Sequence, residues 1–155
     1  MAVSLYFGDK KTINESVSGY MKRQSMSGKK ILYTDFIQFG PEENLITAPN
    51  ITKIKSKFPY KNTPLSDEEK RIALLDNTEA FDLATKKAVC DGFDVLILSG
   101  LCDAVSGDVL YETVITDFLS EGNNIEILIT GSDASAKIAY YSTETIFFNR
   151  ISFFE

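Results

Sequence analysis

The sequence predicts an α/β fold, a three-layer sandwich with a mostly parallel sheet. Short apolar runs alternate with longer stretches of helical period along the whole chain. The run Phe93-Asp94-Val95-Leu96-Ile97-Leu98 is continuous and apolar, as a strand covered on both faces must be. Gly28, Gly92 and Gly122 each fall where a predicted helix stops.

Val3-Ser4-Leu5-Tyr6-Phe7 reads as a buried strand, residues 8–14 as a loop, and Glu15 to Met26 as a helix ending near Gly28. Ile31-Leu32-Tyr33-Thr34-Asp35-Phe36-Ile37 follows as a second strand, which completes a right-handed βαβ unit. Residues 40–65 hold Pro41, Pro49, Pro59 and Pro64 without a sustained period, so an irregular connection is expected there. Ser66-Asp67-Glu68-Glu69 has the form of a capping box, in which serine and glutamate satisfy each other's free N–H groups at a helix start. The helix it opens is expected to present Ile72, Leu75, Phe81, Leu83-Ala84 and Ala88 to the core and to run to Val89.

Beyond the central strand, Gly107-Asp108 is read as opening a helix with Leu110, Val114, Ile115, Phe118 and Leu119 on one face. Ile125 to Thr130 reads as a strand, Gly131-Ser132-Asp133 as the cap of a short helix through Tyr140, and Thr145 to Phe153 as a last strand. Ligands of such sheets bind beyond the carboxyl ends of the strands. That rule points to residues 8–14, 36–41, 99–103 and 131–133.

At 155 residues the chain reads as one domain, 1–155, long enough to bury ~70% of its unfolded surface. Sixteen basic against 22 acidic residues give a net charge of −6, a field that opposes nucleic acid and anionic lipid. Lys53, Lys55, Lys57 and Lys61 are read as a solvated loop rather than a nucleic-acid surface. No apolar run approaches the ~20 residues that span a bilayer, and the first residues lack the order of a signal peptide, so a cytoplasmic protein is expected. Cys90 and Cys102 suggest neither a disulfide framework nor a zinc site and read as buried small apolar residues. The chain has no histidine, which excludes Ser-His-Asp triads, Cys-His pairs and histidine-ligated metals within it.

Residues 1–40 have the outline of a phosphate-binding strand, loop and helix. A working P-loop of the form G-x-x-x-x-G-K-[ST] needs backbone N–H groups near the phosphates, a lysine that reaches them and a hydroxyl for magnesium. Here only the first glycine, Gly8, is in place. Two readings of the loop compete. Gly8, Asp9, Lys10, Lys11, Thr12 and Asn14 form a weak nucleotide or phosphate site at a helix start. Alternatively, Gly8-Asp9 is a tight turn and Thr12 or Asn14 an N-cap.

The order and spacing of these segments resemble the P-loop corrinoid adenosyltransferases, which transfer adenosyl from ATP to the cobalt of cob(I)alamin or a precursor. Family members read T-G-D-G-K-G-K-T-T at the loop and later G-K-K-V, an apolar strand and Q-F; this chain has Gly8-Asp9, Gly28-Lys29-Lys30-Ile31 and Gln38-Phe39 at compatible intervals. Their Y-D-L-V-V-L-D-E is matched by Phe93 to Gly100, and their T-G-R by Thr130-Gly131-Ser132. The resemblance implies a P-loop NTPase-like fold, ATP, magnesium and a corrinoid as ligands, and a homodimer.

The departures fall on the chemistry. Aligned from Gly8, Lys10 and Thr12 replace family glycines, Ile13 stands at the phosphate-binding lysine and Asn14 at the magnesium-binding threonine. Ser99-Gly100 replaces the acidic pair and Ser132 the arginine. A divergent member with degenerate Walker A and Walker B motifs is expected, impaired or inactive in adenosyl transfer, with a non-catalytic binding or regulatory role as the alternative. No residue is assigned a catalytic or metal-binding role. Asp103, Asp108 and Glu112 are read as a helix cap and solvated residues rather than displaced metal ligands. Tyr140-Tyr141, Phe147-Phe148 and Phe153-Phe154 divide between core and a corrinoid or dimer contact.

Overall fold

The computed structural model describes residues 2–41, 46–61 and 63–150. Its elements run β1 (Ala2–Gly8), α1 (Lys10–Met26), β2 (Ile31–Asp35), β3 (Ile51–Lys55), α2 (Asp67–Cys90), β4 (Val95–Ser99), α3 (Leu101–Ser106), α4 (Glu112–Glu121), β5 (Glu126–Gly131), α5 (Ala136–Tyr140) and β6 (Glu144–Phe148). The strands form one sheet in the order β3-β2-β4-β5-β1-β6, and every pairing is parallel. All carboxyl ends therefore lie along one edge. The expected α/β sandwich is the fold observed.

Strand β4 shows why its sequence is continuously apolar. Val95 and Ile97 pack in the layer that holds Ile13, Val17 and Met21 of α1, whereas Leu96 and Leu98 pack with α2, α3 and α4 on the other face. Both faces are covered, so alternation has no polar side to record.

Several expectations change. Helix α1 starts at Lys10, not Glu15, because Asp9 caps it: the Asp9 carboxylate accepts from Thr12 N at 3.0 Å and Thr12 Oγ1 at 2.6 Å. The anticipated loop over 8–14 is thus a one-residue junction, and neither Thr12 nor Asn14 is the cap. The connection expected to be irregular over 40–65 contains β3, which pairs with β2 from Ile31↔Ile51 to Asp35↔Lys55. Lys53 and Lys55 belong to that edge strand rather than to a loop.

Helix α2 begins on the anticipated capping box, with Ser66 and Glu69 exchanging both bonds. Its buried face differs from the expected one. Ala73, Ala80, Phe81, Ala84 and Ala88 face the sheet, while Ile72, Leu75 and Leu83 are at least half exposed. Alanine lets the helix lie close to the sheet, and Phe81 fills the remaining space edge-on against Phe118 at 5.9 Å.

The segment after β4 is two helices. Gly107 ends α3, Asp108 turns the chain at φ +60°, and α4 opens only at Glu112 after Tyr111. A short acidic side chain tolerates that left-handed turn, so Asp108 is a turn residue and not a helix cap. Ser135 caps α5 in place of 131–133. Strand β6 ends at Phe148, and residues 151–155, including Phe153-Phe154, lie outside those described.

Candidate functional site

Parallel register brings the expected segments to one edge: Asp35 lies beside Ser99, Phe7 beside Gly131, and Gly8 beside Phe148. Gly8, at φ +119°, has no room for a side chain, since a Cβ there would lie 2.2 Å from the Phe148 carbonyl. That same carbonyl accepts from Asp9 N at 2.8 Å. Strand β6 thus closes one side of the β1–α1 junction.

The other side is closed by a turn from the end of β2. Phe36 N donates to the Ser99 carbonyl at 2.8 Å, Ile37 and Gln38 take φ of 52° and 55°, and Phe39 N returns to the Phe36 carbonyl at 3.2 Å. A β-branched residue in that region is a backbone outlier and needs support from its surroundings. The support comes from α1. Asn14 Nδ2 donates to the Phe39 carbonyl at 3.0 Å, Lys10 Nζ reaches the Gln38 carbonyl at 3.4 Å, and the Lys10 ammonium sits 5.7 Å from the Phe39 ring centroid.

Phe39 is itself buried, in contact with the α1 layer, and occupies the space above Gly100. A Cβ on Gly100 would stand 2.4 Å from Phe39 Cβ and 2.6 Å from the Phe36 carbonyl. Gly100 is needed there for close approach and for its φ of +76°. Beneath this turn lies a polar group of three side chains. The Ser99 hydroxyl meets both the Tyr33 phenol and the Asp35 carboxylate, which also accepts from Gly40 N at 2.8 Å. Burial pushes the Asp35 carboxyl above the usual carboxylate range, against the lowering effect of these hydrogen bonds.

At the end of β5, Ser132 donates to Asp103 twice, from its N and its Oγ, each at 2.8 Å. Gly131 lets α3 approach, since a Cβ would lie 2.5 Å from Cys102 Cβ. Ser135 Oγ donates to the Glu112 carboxylate, and Lys137 Nζ lies 3.7 Å from it. Asp103 and Glu112 are hence structural acceptors for two serines.

This scaffold matches the ATP:corrinoid adenosyltransferase BtuR/CobO/CobP family over residues 1–146. The chain belongs to that family. A comparison with curated proteins found no match.

Against the needs of a corrinoid adenosyltransferase, the edge is unusual. Ile13, expected from the resemblance to stand at the family's lysine, is fully buried in the α1 layer and offers no charge to a phosphate. The anion at the start of α1 is the protein's own: Asp9, held below the usual carboxylate range by its bonds from the Thr12 side chain and backbone. Lys10, Lys11 and Asn14 line an open depression of about 830 Å³ beside α1, but Asp9 and Glu15 line it too. Among the described residues no group of three or more Asp, Glu, Cys or His side chains is placed to hold a metal ion. At the start of α1, position 13 offers a buried isoleucine and position 14 an amide already bonded to the Phe39 carbonyl, so neither supplies a lysine or a hydroxyl to a magnesium triphosphate.

Sequence reasoning placed Gly8, Asp9, Lys10, Lys11, Thr12 and Asn14 together, and the structure keeps all six at one junction. It pointed to residues 36–41 without showing that Phe39 packs over Gly100, and it did not single out Asp35. The signal available was the run Asp35 to Gly40, in which two phenylalanines flank a short polar turn. No helix among the described residues is long and apolar enough to cross a membrane.

Proposed function

We propose that this family member is a divergent corrinoid adenosyltransferase-like protein that has lost adenosyl transfer from ATP and keeps a binding or regulatory role on the same scaffold. The observation that carries the reading is the start of α1. With Asp9 as the cap at the strand's end and Ile13 in the core, no loop of free N–H groups remains to wrap a triphosphate. Phe39, seated on Gly100 and tied to Asn14, fills the crease between α1 and the end of β4. Loss of one positioned electrostatic group commonly costs ~3 kcal/mol in the transition state. Here the lysine, the hydroxyl and the acidic pair are replaced together, so turnover falls by at least the cost of one such loss.

The two lysines still offer an anion a weak seat beside the two carboxylates. Nucleotide binding through them would be weak, sensitive to salt and indifferent to magnesium. Calorimetry with ATP, ADP and cobalamins, with and without magnesium, tests this. Weak magnesium-independent binding supports the proposal, complete silence leaves only a protein partner for the binding role, and tight magnesium-dependent ATP binding contradicts it.

A further inference from the structure

The turn after β2 is held in a conformation that its residues resist. Ile37 and Gln38 both stand in the left-handed region, at φ 52° and 55°, and neither is a glycine, asparagine or aspartate. Each carries the steric penalty of that region, so the turn keeps its shape only through what grips it. Phe36 N donates to the Ser99 carbonyl and Gly40 N to the Asp35 carboxylate, each at 2.8 Å. Phe39 is seated over Gly100. The remaining grips are Lys10 Nζ on the Gln38 carbonyl and Asn14 Nδ2 on the Phe39 carbonyl.

Those last two side chains also line the open depression beside α1. Pro41, at the exit of the turn, lines it too, and it lines a smaller depression of about 230 Å³ that holds Asp35, Gln38 and Lys55. The turn is therefore a wall between two openings. We propose that it is a self-inhibitory lid on the anion seat of α1, such that a magnesium-free oligophosphate and the closed turn exclude each other. Such regulation rests on the weak anion seat inferred for Lys10 and Lys11. A Lys10 ammonium drawn to a phosphate leaves the Gln38 carbonyl, and an Asn14 amide turned to one leaves the Phe39 carbonyl. With both grips released, the strain at Ile37 and Gln38 favours an open turn.

The charges around the seat are mixed. Lys10 and Lys11 face Asp9 and Glu15, but Asp9 is already engaged by Thr12 and by the field of Arg150. Opening joins the two depressions, which adds Lys55 as a third cation and Asp35 as a third carboxylate. Because closure and anion share two side chains, their coupling is reciprocal, and whatever tightens the closed turn weakens the anion by the same factor. Gln38 is exposed, so Gln38→Gly relieves strain without removing packing. It is expected to weaken tripolyphosphate binding about five-fold, the factor that goes with the lower end of the left-handed penalty. Gly100→Ala places a methyl group 2.4 Å from Phe39 Cβ, evicts the ring and is expected to strengthen binding.

Amide hydrogen exchange of the full chain, read by NMR with inorganic tripolyphosphate and no magnesium, provides the test, with calorimetry for affinity. The Phe39 and Gly40 amides are expected to exchange faster than those of Tyr33 and Thr34 in β2, and faster still as tripolyphosphate saturates, with the β2 amides unchanged. Gln38→Gly should slow exchange at both turn amides and weaken binding, and Gly100→Ala should do the reverse; Gln38→Gly decides alone if Gly100→Ala does not fold. Bound tripolyphosphate that leaves exchange in the turn unchanged or slower, a Gln38→Gly protein that binds at least as tightly as the wild type, or a wild type that binds none at millimolar concentration overturns the lid. Adenosyl transfer by the wild type would instead overturn the loss of catalysis, and the exchange rates would still decide the lid.

Discussion

The Asn14 side chain donates a 3.0 Å hydrogen bond to the Phe39 carbonyl, joining the second turn of α1 to the turn that follows β2. Asn14, expected among the nucleotide-binding residues, holds the turn that carries Phe39 over Gly100. Phe39 makes that closure a matter of core packing. Phe39→Ala is expected to lower unfolding stability by about 3 kcal/mol, the usual cost of emptying a buried aromatic site. Urea denaturation measures it; a loss below ~1 kcal/mol would mean that Phe39 is not part of the core.

Ile13→Lys restores the family's lysine by alignment but not by geometry. The side chain at 13 points into a layer with Val17, Met21, Tyr33 and Ile97, where an ammonium finds no partner. The variant is expected to lose ~3 kcal/mol or more, by the cost of burying an unpaired charge, and to gain no ATP affinity. Gain of magnesium-dependent ATP binding in a folded Ile13→Lys protein would contradict the placement of α1.

Asp35 sets a dependence of stability on pH. Burial raises its folded-state pKa above the value of the unfolded chain, so the folded state holds the proton more firmly. This contribution is fully present below the unfolded pKa and is lost as pH rises through the folded one. Asp9 and Glu69 work the other way, since their lowered pKa values favour folding above the unfolded value and lose that effect as pH falls. Asp35→Asn keeps an acceptor for Gly40 N and removes the buried charge. It is expected to be more stable than the wild type at neutral pH, with the difference shrinking toward acid pH. Equal pH profiles for the two proteins would count against a buried carboxylate here.

The cysteines should separate by reactivity. Cys90, expected to be buried, is exposed at the end of α2, whereas Cys102 is buried as expected and desolvation pushes its thiol up to about 11. A thiol reagent at neutral pH is expected to label Cys90 quickly and Cys102 only on unfolding, which mass spectrometry resolves by peptide. Rapid labelling of both would mean that α3 does not pack against Gly131.

Much of this was legible in the sequence because it rests on local rules. The capping box at Ser66, the two-faced strand at Val95 to Ser99 and the convergence of strand ends at Gly8, Ser99 and Gly131 each follow from periodicity, caps or parallel topology. What was not legible depends on contacts between distant segments. The buried face of α2 is alanine because the helix lies close to the sheet, and apolar periodicity alone favoured the larger Ile72 and Leu75. The start of α1 turned on Asp9 accepting from Thr12, a choice among three capping residues within six positions. Strand β3 exists because β2 offers it a parallel partner, which no window over residues 40–65 could reveal.

The most direct test of lost adenosyl transfer is formation of adenosylcobalamin from ATP and cob(I)alamin under anaerobic, reducing conditions with magnesium, followed by the change in corrinoid absorbance. A rate no greater than that of the mixture without protein is expected, at protein concentrations comparable to substrate. Adenosylcobalamin formed above that background in proportion to the protein added would contradict it.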